Sequence, residues 1–83
     1  MANEEYERIL ASDLPQIDKL AQAFDVITSM YVDIYANQAD LLRAVKDQDA
    51  LVKEQIKLEL MKFSRVLFAD TFFRVTGRRP WHG

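Results

Sequence analysis

Between residues 17 and 45 the apolar side chains recur at alternating intervals of three and four. The positions are Ile17, Leu20, Phe24, Ile27, Tyr31, Ile34, Gln38, Leu41 and Val45. A helix turning once per 3.6 residues gathers these nine positions into one stripe, so the spacing predicts a long helix over about 14–46. Gln38 is the polar member of the stripe and reads as a register device. Asp18, Asp25, Asp33, Asp40 and Asp47 recur every seven or eight residues beside it and form an acidic flank. Such a flank is expected to face solvent or to be ion-paired.

The pattern changes after residue 50. Val52, Ile56, Leu60, Phe63 and Leu67 make one apolar face, and Leu58, Met61, Phe68, Phe72 and Val75 a second. Seven of the thirteen residues from Phe63 to Val75 are Phe, Val or Leu. A helix over about 50–75 is therefore apolar around much of its circumference and must be buried on more than one side. A shorter helix over about 4–11 carries Tyr6, Ile9 and Leu10, with Asn3 as cap and acids in its first turn. At about two turns it is marginal alone and must dock on something.

The punctuation between these elements is uneven. Ser12-Asp13-Leu14-Pro15-Gln16 has the spacing of a capping box, with Asp13 as cap, Gln16 three later and Pro15 in the first turn. No glycine or proline lies between residues 16 and 76. Lys46-Asp47-Gln48-Asp49 is the expected turn, where either aspartate can cap the next helix. A break at Ala36-Asn37-Gln38 is second, and an unbroken rod third. Gly77 is expected to end the last helix, and Pro80 to prevent its resumption. The fold class is thus all-α: a short N-terminal helix and a long antiparallel hairpin in one domain over 1–76, followed by a basic and aromatic tail over 77–83.

Charge supports the hairpin. The chain carries a net −2, divided as −4 over residues 1–25, −2 over 26–50 and +4 over 51–83. With a turn near 47–48, residue i lies opposite about 95 − i. This register sets Asp33 against Lys62 and the acidic start of the second helix against Arg74 and Arg78. A hairpin covers one face of each long helix, so the remaining apolar surface requires a further partner. A second copy supplies it most simply, as a two-fold four-helix bundle. Phe63, Leu67, Phe68 and Phe72 are the expected dimer-interface residues.

Chemistry is scarce. There is no cysteine, a single histidine at position 82, no Glu-x-x-His and no glycine-rich phosphate loop. Ser12, Ser29 and Ser64 have no histidine at helical spacing. The expectation is a protein that is not an enzyme and has no catalytic residue, metal site or cofactor. Residues 14–20, Leu-Pro-Gln-Ile-Asp-Lys-Leu, are similar to the opening helix of the small dimeric helical chorismate mutases. That family's site implies several inward arginines and lysines, whereas Ile17, Leu20, Phe24 and Ile27 offer no inward base, and the family is not assigned.

The tail Gly77-Arg78-Arg79-Pro80-Trp81-His82-Gly83 holds the sole tryptophan. Tryptophan and arginine dominate many protein interfaces, although a ring at this position also reads as folded back on the bundle. The expected function is a protein–protein interaction module: an inhibitor, anti-activator or adaptor. It would meet its partner through Phe68, Phe72, Phe73 and Trp81, with Arg78 and Arg79 at the rim. A nucleic-acid-binding dimer using the basic last third is the alternative. A small-ligand carrier or enzyme with Tyr31, Tyr35 and Gln38 inside the bundle is the third reading. The acidic N-terminus has no secretory pattern and no stretch reads as a membrane span, so a cytoplasmic location is expected.

Overall fold

The structure is a computed structural model, and it describes residues 2–81. The expected tail ends in His82 and Gly83, which lie outside the described residues. Among the described residues there are three helices: α1 (Ala2–Leu10), α2 (Gln16–Val45) and α3 (Gln48–Thr76). The thirty residues of α2 extend about 45 Å at 1.5 Å per residue, close to the 47 Å long dimension of the molecule.

α1 docks on α2. Its last carbonyls, which have no partner within the helix, are met from outside. The Ser12 hydroxyl donates to Ile9 O at 2.6 Å, and Lys19 Nζ donates to Leu10 O at 3.0 Å.

The start of α2 differs from the expected capping box. The helix begins at Gln16, Pro15 takes the cap position with ψ 152°, and no side chain caps it. Pro15 disfavours helical backbone at Leu14, so the helix cannot begin early enough for Asp13 to reach its first free N–H groups. The Pro15 carbonyl accepts from the N–H groups of Asp18 and Lys19 instead, both at 3.0 Å.

The hairpin turn falls at 46–47, as the Lys-Asp-Gln-Asp segment indicated. Lys46 adopts the left-handed conformation, with φ 60° and ψ 33°. Its N–H donates to Arg43 O, and the Asp47 N–H reaches back to Leu42 O at 3.2 Å. This is the six-to-one closure that ends helices, here with lysine where glycine is usual. Asp47 then caps α3, its Oδ1 accepting from the Ala50 N–H at 3.1 Å. At the far end Gly77 takes φ 74°, and its N–H returns to Phe73 O at 2.7 Å.

α2 and α3 pack along their length through a narrow line of mostly small residues. Ala21, Thr28 and Ala39 are buried on α2, and Leu51 and Phe72 on α3. Intervals of seven and eleven residues are close to whole turns, so the three α2 positions share one face. Most of the long apolar stripe of α2 is not on that face, although Phe24 turns toward α3. Leu20 is next to Ala21 in sequence and so stands about a quarter-turn or more away from it. Leu20, Tyr31, Ile34, Leu41 and Val45 are all exposed. The first apolar face of α3 is also outside: Phe63 lies nine residues, about two and a half turns, from buried Phe72 and points away from α2.

Candidate functional site

Two features result from this packing: a polar and aromatic lock at the open end of the hairpin, and broad apolar strips on its outside.

The lock centres on Arg65. Its Nη2 donates to Asp25 Oδ1 at 2.8 Å. Its Nη1 donates to Thr28 Oγ1 at 2.8 Å and to the Asp25 carbonyl at 3.0 Å. The Thr28 hydroxyl donates in turn to Phe24 O at 2.6 Å, and Ser29 Oγ bonds Asp25 Oδ1 at 3.3 Å. A planar guanidinium with several donors can hold carboxylate, hydroxyl and carbonyl together, which an ammonium group does less well. The far side of the guanidinium covers the ring of Trp81, with Cζ 4.9 Å from its centroid.

Trp81 is therefore folded back onto the hairpin. Phe24 and Phe68 stack at 4.3 Å between centroids, and Trp81 lies 5.6 Å from Phe68 and 6.2 Å from Phe24. The returning tail is held by Arg78, whose guanidinium bonds both carboxylate oxygens of Asp18 at 3.0 and 3.4 Å. Thr76 Oγ1 shapes the bend by accepting the Arg78 N–H at 3.1 Å. Arg79 covers the ring of Phe73 at 5.7 Å. An open cleft of about 650 Å³ remains between α1, α2 and the tail, lined by residues that include Arg8, Gln22, Arg79 and Trp81.

The residues expected to meet a partner fall into two groups. Phe68 and Trp81 are half-buried in the aromatic stack, and Phe72 is buried at 4% exposure. Phe72 thus offers no surface to a partner or to a second copy, because it faces α2 and Arg78 lies over its ring at 5.7 Å. Phe63, Leu67 and Phe73 are about half exposed or more. Arg78 and Arg79 lie at the surface, engaged with Asp18 and Phe73.

The acidic flank of α2 is largely ion-paired or engaged in capping. Asp18 and Asp25 reach across to α3 and the tail, Asp40 pairs with Arg43 and Asp47 caps α3. The expected juxtaposition of Asp33 with Lys62 is not formed; Lys62 pairs with Glu59 one turn away at 3.6 Å. Tyr31 and Tyr35 stack at 5.8 Å, but Tyr31 and Gln38 are exposed and enclose no interior site. Arg65 and Phe24 were not singled out from the sequence as members of a site. The one available signal was that Arg65 is a lone base on the inner face of a strongly apolar stretch.

Two outer strips complete the surface. On α2, Ile17, Leu20, Ile34, Leu41 and Val45 are between 40% and 70% exposed. On α3, Val52, Ile56, Leu60, Phe63 and Leu67 are between 51% and 63% exposed. Among the described residues, the buried hydrophobic side chains are only Ala21, Ala39, Leu51 and Phe72.

The fold and this surface define a small all-α helical hairpin that leaves many large apolar side chains on the outside. No protein-family model, curated protein or solved structure matches the chain. No group of three or more metal-ligating side chains occurs among the described residues, and no helix among them is long and apolar enough to cross a membrane.

Proposed function

We propose that this chain is a protein–protein interaction module without chemistry of its own, acting as an inhibitor, anti-activator or adaptor. The observation that carries this reading is the outward α2 strip. It is an apolar stripe of helical spacing that its own hairpin partner leaves uncovered, with Leu41 and Val45 63% and 70% exposed. Exposed apolar patches of this extent mark association surfaces, and an amphipathic helix docks most readily against another helix or into a groove.

Phe73 and Arg79 also remain accessible, beside the folded tail at the open end of the hairpin. The nucleic-acid alternative is less well supported. Five of the seven bases after residue 50 already hold carboxylates: Lys57, Lys62, Arg65, Arg74 and Arg78. The chain as a whole is acidic, which repels phosphate.

The test is partner capture by the wild-type chain and by Leu20→Asp/Ile34→Asp, with helicity followed by circular dichroism. Loss of capture with helicity intact is the expected result. Capture that survives both this variant and Phe73→Ala/Arg79→Ala would sink the proposal for this surface.

A further inference from the structure

We propose that the outer face of α3 is a homodimer interface in which two copies pack antiparallel about Leu60. The inference rests on the reading of the chain as an interaction module and names a second copy as the occupant of one of its two strips.

The positions themselves are self-complementary. Val52, Ile56, Leu60, Phe63 and Leu67 are spaced four, four, three and four, which at 3.6 residues per turn keeps them on one face of α3. When a copy is turned end for end about Leu60, Leu60 meets Leu60, and Ile56 and Val52 come within one residue, about 1.5 Å along the axis, of Phe63 and Leu67. A two-fold interface demands this reciprocity, since any contact from i to j recurs from j to i. Each of the pairs joins two apolar side chains, and none leaves a charge in the seam. Beside the seam, Val52, Ile56, Leu60 and Phe63, with Gln55 and Glu59 at the edge, border a shallow groove of about 450 Å³ into which facing side chains of the second copy would fit.

Charges on one flank fit the same register. Glu59 and Lys62 lie on one side of the seam and in this arrangement stand opposite each other's counterpart. Within one chain they pair with each other at 3.6 Å, with side chains 72% and 53% exposed, and this exposed pair can be exchanged for the equivalent contacts across the interface. Flanking pairs of this kind set orientation more than strength.

The areas agree. The chain exposes 6206 Å². A folded monomer of 9.7 kDa is expected to expose about 5,100 Å². The surplus of about 1,100 Å² exceeds the roughly 800 Å² that each partner buries in a stable complex of standard size. Among the described residues, the four buried hydrophobic side chains are also too few to hold a chain of this length, and two of them are alanines.

The experiment combines mass in solution with site-directed cross-linking. Light scattering with size exclusion is expected to give about twice 9.7 kDa across a dilution series. Phe63→Glu is expected to halve that mass. Because a monomer released in this way can also unfold, the deciding measurement keeps the fold intact. The chain has no cysteine, so Leu60→Cys provides the only thiol. Under mild oxidation Leu60→Cys is expected to form a disulfide dimer rapidly and Leu20→Cys slowly, since only the former lies at the two-fold axis.

A monomeric wild-type chain would overturn the proposal. So would a Phe63→Glu variant that keeps the doubled mass, or faster cross-linking through Leu20→Cys. Partner capture is scored separately with the Leu20→Asp/Ile34→Asp variant. A wild-type chain that is monomeric yet captures its partner therefore refutes this inference alone, and a dimeric chain whose capture survives both Leu20→Asp/Ile34→Asp and Phe73→Ala/Arg79→Ala refutes only the proposed function.

Discussion

Arg65 and Asp25 are forty residues apart in sequence, yet they form the one ion pair among the described residues that joins α2 to α3, and it is partly shielded from solvent. Their side chains are 23% and 35% exposed, and the 2.8 Å bond is supported by Thr28 and by a backbone carbonyl. The same guanidinium covers Trp81, so one side chain fixes both the hairpin register and the position of the tail.

Arg65→Ala is expected to destabilise the chain by about 2 kcal/mol, because charge-assisted hydrogen bonds are lost and Asp25 keeps no cross-helix partner. Arg65→Lys is expected to recover only part of this, since an ammonium cannot bridge the same three acceptors. Arg78→Ala, which breaks the more exposed pair with Asp18, is expected to cost no more than about 1 kcal/mol. Urea unfolding of the three variants at one protein concentration checks the order.

Trp81 is the sole tryptophan, so its fluorescence reports the tail directly. Emission from the folded chain is expected to be blue-shifted relative to the unfolded chain. Phe68→Ala removes a ring 5.6 Å from the indole and half of the 4.3 Å stack with Phe24. It is expected to shift emission to the red and to cost about 3 kcal/mol. Unchanged emission in this variant would mean that the tail is not held on the aromatic stack.

Lys46 sits in the left-handed region without being glycine. Lys46→Gly removes the steric conflict of the side chain there and is expected to stabilise the chain by about 0.5–1 kcal/mol. The melting temperature should rise by a few degrees for a domain of this size, measured at fixed protein concentration.

Asp47 gives α3 its N-terminal cap through Ala50. Asp47→Ala is expected to cost about 1 kcal/mol, and Asp47→Asn considerably less, since the amide oxygen can still accept the bond. Asp13→Ala, by contrast, is expected to be nearly neutral, because α2 begins at Gln16 without a side-chain cap. Thermal melts of the three variants distinguish the two aspartates.

Much of the architecture was legible along the chain. Helical spacing, the Lys46–Asp47 turn and the Gly77 stop were all readable, because helix periodicity and caps act over a few residues. The 95 − i register was met only in part: Asp18 with Arg78 of the tail lies within a residue of it, but Asp33 and Lys62 do not pair and Phe24 with Phe68 falls three residues short. The start of α2 was misread because Pro15 acts on the residue before it, and a capping-box spacing does not include that effect. The candidate surface was less legible. Phe68, Phe72 and Trp81 have the composition of a docking surface, but that composition also suits an internal stack, and only the return of the tail distinguishes the two.

The sequence by itself determined that this protein is helical, where its helices end and that its two long helices run antiparallel, since these follow from short-range sterics, capping and charge balance. Only the tertiary structure decided which stripe faces inward. The longest apolar stripe of α2 was the natural candidate, yet the line of Ala21, Thr28 and Ala39 lies against α3. Small side chains there let the helices approach, and Thr28 and Asp25 meet Arg65 from the same side of α2. That choice turns Leu20, Ile34, Ile56 and Phe63 outward. Periodicity can show that a helix has an apolar face, but it cannot say whether that face is covered by its own chain or by another, because the hydrophobic driving force carries no direction.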